Sequence, residues 1–192
     1  MSLKKTKNTT HGGKRVSEIL DAHQLFFSGK DGGVRADLNG ANLSGADLSG
    51  ANLSGALLQN ANLQGADLRK AKLAHADLTG ADLRKADLRS TDLTEASLSG
   101  ANLEEAQASG VEFFRCDLSN TNFQHALLRN TNFRLANVNG AKFSGADMGV
   151  AILRETDLTG ADLSGVDLST TLMPRNFTLQ ESASAKTDTK SA

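Results

Sequence analysis

Hydrophobic and polar residues alternate along this chain with a period of five. From Ala36 the register runs unbroken through 27 pentads, of which Ala41 to Gly45, with the sequence ANLSG, is typical. The first position is Ala in 20 pentads and the third is Leu in 20. The second position is Asp or Asn in 19, and 12 of the 13 glycines between Ala36 and Leu168 occupy the fifth. Large and small apolar residues therefore stand two apart, separated by polar residues and glycine.

A period of five fits neither an α-helix nor a flat strand. On a helix five residues advance about 500°, so Leu38 and Leu43 would lie about 140° apart around the axis. On a strand the side-chain period is two, so the same leucines would point to opposite faces. All leucines can be buried together only if the chain turns by a constant angle every five residues. The pattern therefore predicts a coil with positions one and three inward, and Gly suits a corner that requires φ > 0.

The repeat closely matches the A(D/N)LXX signature and resembles the pentapeptide repeat family over about seven tenths of the chain. The resemblance implies an all-β fold, a right-handed quadrilateral β-helix with four pentads per coil and the third-position Leu as its core. Twenty-seven pentads then give about seven coils, which at ~4.8 Å between strands make a rod roughly 32 Å long. Since residues 20 apart should stack, we expect Phe113 to lie on Phe133 and Phe123 on Phe143.

The sequence divides into four segments. Residues 1–14 are polar and basic and are expected to form a disordered tail, as are residues 174–192, which are rich in Ser, Thr and Lys. Residues 36–173 form the predicted β-helix. Residues 15–35 are predicted to be a capping helix and its linker, because an open coil exposes unpaired strand edges, and Ser17 is a suitable N-cap. The apolar residues near helical spacing in this segment are Val16, Ile19, Leu20, Leu25, Phe26 and Phe27.

Composition agrees with one soluble domain. Apolar residues make up 39% of the chain, which has no Trp or Tyr and one Pro. The basic start, Met1 to Lys5, is followed by no long apolar run, so we expect no signal peptide, no membrane span, no membrane partner and a cytoplasmic location. The lone Cys116 occupies an inward first position and is predicted to be a buried core residue rather than part of a disulfide framework.

No motif predicts catalysis. The sequence has no phosphate-binding loop, cysteine cluster or metal-ligand spacing, and its four histidines are far apart. Second-position carboxylates are explained by turn chemistry and solvent exposure. We therefore expect a protein that is not an enzyme, with no catalytic, metal-binding or cofactor-binding residues, no cofactor and no small-molecule substrate.

Charge separates the repeat array from the segment before it. Residues 36–173 hold 17 acidic and 11 basic side chains, a net charge of −6, whereas residues 1–35 hold 3 and 7, a net charge of +4. The acidic array disfavours direct binding of nucleic acid. When the pentads are sorted by four, one face has no Lys or Arg at an outward position. We call its carboxylates the acidic column: Asp37, Asp77, Asp117 and Asp157.

A second face carries unusual outward residues in its C-terminal half. It contains the second-position residues Asn52, Lys72, Asp92, Glu112, Asn132 and Ile152. Arg and aromatic residues anchor many protein interfaces, so this cluster is the candidate interaction site. The alternative is a satisfied surface cluster in which Phe114 lies under the stem of Arg134. We call the cluster the Phe114 patch: Phe114, Arg115, Arg134, Leu135, Ile152, Arg154 and Leu172.

Two functions remain open. The first is a non-enzymatic rigid scaffold that binds another protein or associates with itself. The second follows from the resemblance: some pentapeptide proteins are DNA-mimicking inhibitors or protectors of a type II topoisomerase, DNA gyrase. Their acidic faces imitate duplex DNA, and a C-terminal helical module joins two rods. Residues 175–192 of this chain lack the apolar stripe for such a module, and a net charge of −6 is modest for a DNA mimic.

Overall fold

The computed structural model describes residues 9–175. It begins with an antiparallel hairpin of strands β1 (Thr10–His11) and β2 (Lys14–Arg15). This hairpin differs from the disorder expected for residues 1–14. Its loop is Gly12-Gly13, both with positive φ, and two such glycines form the tight turn that matches the twist of paired strands. Residues 1–8 and 176–192, where the rest of the disordered tails was predicted, lie outside the described residues.

Helix α1 (Val16–Phe27) follows the hairpin directly. Its N-cap is Arg15 and not Ser17, which lies within the first turn. The backbone N–H of Arg15 donates to Oε2 of Glu18 at 3.2 Å, and the N–H of Val16 donates to the carbonyl of Thr9 at 2.9 Å. The helix thus begins where the hairpin ends. At 12 residues, this helix of the described chain is too short to cross a bilayer.

From residue 36 the chain winds into stacked coils. Parallel β-bridges join the second-position residues from Asp37 to Ile152, except Asp147, to those 20 residues later, as from Asn42 to Asn62 and from Asn62 to Asp82. The N–H of Leu43 donates to the carbonyl of Asn62 at 2.7 Å, and the N–H of Asn62 donates to that of Ala41 at 2.9 Å. Four pentads therefore complete one coil, as predicted, and the fold is a repeat β-helix.

The corner of each pentad is a turn with positive φ at the fifth position. The carbonyl of Leu38 accepts the N–H of Ala41 at 3.0 Å, with φ of 66° at Gly40 between them. This places the left-handed residue at the third position of a four-residue turn, where glycine is favoured. Fourteen fifth positions in the described chain adopt the same conformation without glycine, so the stacked coils impose it on other residue types.

The core is a column of inward side chains. From Ala36 to Leu153 every first- and third-position side chain is buried. The predicted ring stacking is confirmed: Phe113 and Phe133 have centroids 5.0 Å apart, as have Phe123 and Phe143. Buried polar first positions are satisfied, since the Thr121 hydroxyl donates to the carbonyl of Leu98 at 2.8 Å. Cys116 is also buried, as predicted, and burial raises the pKa of its thiol to about 12.

Helix α1 packs on the first coil, with only part of its apolar residues on the covered face. Val16 and Leu20 belong to the same core as the first coil. His23 is fully buried, and its Nδ1 accepts the N–H of Ala36 at 3.1 Å. Leu25 and Phe26 do not cover the coil and are 36% and 48% exposed. Phe27 is 48% exposed, but its ring lies edge-on to His23, with centroids 5.1 Å apart, and next to Gly55 of the first coil. Leu25 lies about 180° from Val16 around the helix, so both cannot face the coil.

Candidate protein-interaction face

The face that carries the Phe114 patch is a regular stack of bridged positions. Consecutive bridges join Glu112 to Asn132, Asn132 to Ile152, and Ile152 to Leu172. The patch residues thus lie on four successive coils of one face and on the corner beside it. Phe114, Arg134 and Ile152 are half-buried, whereas the other four residues are exposed: Arg115, Leu135, Arg154 and Leu172.

Phe114 is covered by its own neighbour in sequence. The guanidinium carbon of Arg115 lies 5.1 Å from the centroid of the Phe114 ring, within the range of a cation–π contact. Arg115 also pairs with Glu95, with 3.5 Å between Nη1 and Oε1. The sequence-based alternative placed Phe114 under Arg134, and the observed cation–π partner is Arg115. The ring nevertheless remains partly open to solvent.

The other two arginines of the patch differ in their pairing. Nη2 of Arg134 donates to both carboxylate oxygens of Glu155, at 3.0 and 2.9 Å. Arg154 is exposed and forms no ion pair within residues 9–175. Among the described residues, the patch therefore presents one guanidinium without an ion-pair partner, next to Ile152.

Val150 belongs beside the patch and was missed by sequence reasoning. It is 45% exposed and stands two residues before Ile152 in the chain. Its φ is +60°, a conformation that β-branched residues rarely adopt. The signal was present in the sequence, because Val occupies a fifth position where Gly or Asn is usual. Together with Leu135, which is 44% exposed at φ +58°, it makes this end of the face unusually apolar.

The acidic column lies on another face, where its members occupy every second coil. Bridges run from Asp37 through Leu57 to Asp77, and onward through Ser97 to Asp117. Successive carboxylates are therefore two coils apart, with one coil between them, or roughly 10 Å. The structure confirms this alternation but shows what else these groups do: each accepts the N–H of the residue two positions later. The four donors are Asn39, Thr79, Ser119 and Thr159, at 2.9 to 3.2 Å.

These turn contacts affect the ionisation of the column. Burial opposes ionisation of Asp77, but hydrogen bonds from Thr79 and Gln59 outweigh it and lower the pKa of this carboxyl. The Thr159 hydroxyl and N–H lower the pKa of Asp157. Both groups are therefore anionic at neutral pH. Part of their hydrogen-bonding capacity is used within the protein, at the turns.

Elsewhere, arginines are held by carboxylates of their own pentad. Nε and Nη2 of Arg69 donate to the two carboxylate oxygens of Asp67, at 2.9 and 2.6 Å. Arg84 donates to Asp82, and Arg89 to Asp87, in the same bidentate way. These contacts lower the pKa of all three aspartates. Charge on these faces is thus locally neutralised, unlike Arg154 in the patch.

The histidines and the cysteine of the described residues do not cluster. Within residues 9–175 no group of three or more His, Cys, Asp or Glu side chains is placed to hold a metal ion. His75 and His125 lie at exposed corners, and His23 is buried under α1. Burial, with the nearby charge of Arg35, lowers the pKa of His23, and its Nε2 has no hydrogen-bond partner in the described structure.

The coils, the corner turns and the inward Ala and Leu define a repeat-solenoid protein. The chain belongs to the pentapeptide repeat family, since the family model, "Pentapeptide repeats", matches residues 36–73, 71–107, 112–149 and 150–173 in eight copies. No curated protein is significantly similar to the chain.

Several solved structures are similar. HetL, a pentapeptide repeat protein involved in heterocyst differentiation regulation from the cyanobacterium Nostoc sp. strain PCC 7120, is 30% identical over 75% of this chain and 81% of its own, with a TM-score of 0.45. QnrB1, a plasmid-mediated fluoroquinolone resistance protein, matches in a trypsin-treated form at 21% identity. That match covers 71% of this chain and 79% of QnrB1, with a TM-score of 0.53, and concerns the fold alone.

Proposed function

We propose that this protein is a non-enzymatic, rigid scaffold that binds another protein through the Phe114 patch. The observation that carries the proposal is the exposure of Leu135, Leu172 and Arg154 beside Phe114 and Ile152, on a fold whose outward positions are otherwise mostly polar. The buried centres of protein interfaces are more apolar than the rest of the surface and are enriched in aromatic residues and Arg. The right-handed sense of the β-helix, its total of about seven coils and the cytoplasmic location belong to the same proposal.

The fold itself supports a scaffold role. The backbone at the second position of the pentads is bridged to the neighbouring coils up to the last coils. The core side chains of successive coils pack into one continuous cluster. A surface built in this way is already ordered before a partner arrives, so little conformational entropy is lost when it binds. The free guanidinium of Arg154 favours a partner that presents a carboxylate next to apolar side chains.

The test is the double variant Phe114→Ser with Ile152→Thr, compared with Leu127→Ser. Leu127 is 45% exposed on a different face, so this control removes a similar apolar surface away from the patch. We expect both variants to keep the parent's circular dichroism spectrum. In quantitative pull-downs, partner recovery should fall at least about tenfold for the double variant, the effect of losing interface anchors. Equal recovery with the parent, the double variant and the control contradicts the proposal.

A topoisomerase-directed DNA mimic is the second candidate. The acidic column favours it. The spacing of the column argues against it, since duplex DNA carries one charge per ~1.7 Å of axis whereas these carboxylates recur roughly every 10 Å. We therefore rank this function below the scaffold.

A further inference from the structure

A column of exposed corner residues runs beside the Phe114 patch and alternates in charge. Four members are the fifth-position residues of successive coils, with φ between 56° and 64°: Glu95, Arg115, Leu135 and Glu155. The N–H of Glu95 donates to the carbonyl of Phe114 at 2.9 Å, a bond that stacks one coil on the next. Arg175 continues the series 20 residues after Glu155 and is also exposed. We call these five residues the corner column.

Leu135 is the exception in the corner column. Its side chain is 44% exposed and its φ is +58°, so this position combines an unfavourable backbone conformation with an apolar side chain in water. The charged members on either side are paired within the chain. Arg115 lies 3.5 Å from Glu95, and Glu155 lies 2.9 Å from Arg134. A leucine between two ion pairs is the arrangement of an interface with an apolar centre and a polar rim.

We propose that two copies of this protein form an antiparallel dimer through this face, with the two-fold axis passing Leu135. The axis runs across the rods, so each residue opposes the member of its own column that lies equally far on the other side of Leu135. The two Leu135 side chains then meet, and Arg115 of each copy meets Glu155 of the other. Arg175 extends the pairing to Glu95. The inference rests on the proposed function, whose site it uses, and names the partner as a second copy.

The neighbouring columns of the face fit the same operation. Phe114 opposes Arg154 of the second copy, whose guanidinium has no ion-pair partner among the described residues. A guanidinium beside an aromatic ring is a favourable contact. At the opposite edge of the face, the exposed Val150 opposes Gly110, which has no side chain and leaves room for it. The contact is isologous, since each of these pairs occurs twice.

The second-position column contributes one unlike pair, Ile152 opposite Glu112. The carboxylate of Glu112 accepts a hydrogen bond from Nδ2 of Asn132, one coil further along the same face, at 2.9 Å. The carboxylate therefore points along the face towards the next coil. Ile152 of the second copy meets the aliphatic stem of Glu112, which long charged side chains can present to apolar surface.

Other arrangements of the same two faces lose these ion pairs or bring like charges together. Moving the second copy by one coil in one direction places Glu95 opposite Glu155. Moving it by one coil in the other direction places Arg115 opposite Arg175. A parallel dimer would lay the corner column against the other edge of the face, with Glu155 opposite Val150. Because like charges across an interface weaken association, the corner column favours one register and one direction.

The first experiment measures the mass of the full chain against concentration by analytical ultracentrifugation. We expect a dimer that does not grow further and that weakens as salt is added. Glu155→Arg and Arg115→Glu each place like charges opposite each other twice and should raise the dimer dissociation constant at least about tenfold. The control is Glu105→Arg, an exposed corner residue that pairs with Lys85 on another edge of the rod. It should leave the dimer unchanged.

The decisive experiment mixes Glu155→Arg with Arg115→Glu at a concentration where neither variant dimerises alone. In the mixed pair each basic residue at these two positions meets an acidic one, so a one-to-one dimer should form with an affinity close to the parent's. Neither a shifted register nor a parallel dimer predicts this recovery. Absence of the mixed dimer overturns the proposal, and so does a parent that stays monomeric up to its solubility limit.

A cysteine at the axis tests the register without reversing a charge. Leu135→Cys should form a covalent dimer under mild oxidation, because the axis brings this position of the two copies together. The control Leu127→Cys, at a residue 45% exposed on a different face, should stay monomeric, and the native Cys116 is buried. Equal cross-linking of the two variants overturns the proposal.

The dimer and the proposed function can fail separately. A monomeric parent that captures a different protein, and loses it in Phe114→Ser with Ile152→Thr, overturns the dimer and leaves the scaffold function standing. If that double variant changes neither the dimer nor the capture of a partner, both are contradicted. A dimer that the double variant weakens, together with recovery on mixing, supports both.

Discussion

The burial and backbone conformation of a single residue in this protein depend on its position in the pentad more than on its chemical type. Thr121 and Cys116 occupy first positions and are buried like alanine, each with its polar atom 2.8 Å from a backbone carbonyl. Third positions are buried whether the residue is Leu, Phe, Met, Val or Ala. Fifth positions require positive φ whatever the residue. Substitutions should therefore have effects set by pentad position.

Leu83 tests the inward position. It is 1% exposed in the middle of the column, so Leu83→Ala should lower the free energy of unfolding by about 2 to 5 kcal/mol through lost contacts and a cavity. Leu83→Asp should prevent stable folding, because it buries a carboxylate without a partner. Gln64→Ala, at an outward fourth position, is the control and should change stability by less than about 0.5 kcal/mol. Chemical denaturation followed by circular dichroism provides the comparison.

Val150 tests the corner position. Its φ of +60° is unfavourable for a β-branched residue, whereas Asn130, at the equivalent corner one coil earlier, has φ of +56°. Val150→Asn should raise the free energy of unfolding by about 1 kcal/mol, and Asn130→Val should lower it by about 1 to 2 kcal/mol. The two reciprocal variants are compared by thermal melting. Opposite signs are expected, and equal or reversed effects would show that the corner conformation does not decide stability here.

At the scale of elements, α1 covers the N-terminal end of the β-helix. Its inward stripe of Val16, Leu20 and His23 supplies an apolar cover, and the His23 ring accepts the first N–H of the array from Ala36. The linker is tightly packed, since an added Cβ on Gly33 would lie 2.4 Å from the backbone nitrogen of Phe26. The helix and the first coil therefore form one packed unit.

Removing residues 1–30 should expose the strand edge and apolar floor of the first coil. We expect the shortened protein to aggregate, because an uncovered coil can pair with other chains. Light scattering during refolding measures this outcome. A truncation that removes residues 176–192 is the matched control at the other end and should leave solubility unchanged. A truncated protein without residues 1–30 that is as soluble as the parent would show that α1 is not needed as a cap.

His23 should make the stability of this cap pH-dependent. Its pKa is lowered in the folded protein, while the unfolded chain has the ordinary value of about 6.5. Above that value both states are neutral and the full stability is present. As the pH falls below about 6.5, the unfolded state binds a proton that the folded state resists, so the free energy of unfolding decreases.

Denaturation between pH 7.5 and pH 5 measures this effect. His23→Gln should lose most of the decrease, whereas His125→Asn, at an exposed corner, should retain it. The aspartates whose pKa values are lowered do not interfere, because they lose their contribution only at more acidic pH, near the unfolded value of about 3.9. A decrease of equal size in both variants would show that His23 is not the titrating group.

At the scale of the whole molecule, the charge distribution argues against DNA mimicry. The array has a net charge of −6, and several of its carboxylates are engaged by arginines or by turn N–H groups. We expect the purified protein at micromolar concentration not to inhibit DNA gyrase supercoiling. Inhibition that disappears in the variant Asp77→Asn with Asp117→Asn, but persists in Asp82→Asn on a different face, would reverse the ranking of the two functions.

The sequence by itself determined the coil and its core, because both follow from a period that repeats without interruption. The number of four pentads per coil came from the resemblance to the pentapeptide repeat family. Phe113 and Phe133 stack because they are 20 residues apart, and no distant contact was needed to predict it. The residues of the Phe114 patch could likewise be placed on one face by counting. Local periodicity decides these features since each coil contacts only its neighbours.

Tertiary structure decided what the period does not govern. It selected His23 over Leu25 and Phe26 for the covered face of α1, because the angle at which the helix meets the first coil depends on both elements together. It also made Arg115 the partner of Phe114 and placed strained Val150 beside the patch. Within residues 9–175, it left inward side chains of the last coil only half-buried. Side-chain pairing and the closure of ends depend on contacts in space, for which a repeating sequence provides no distinguishing signal.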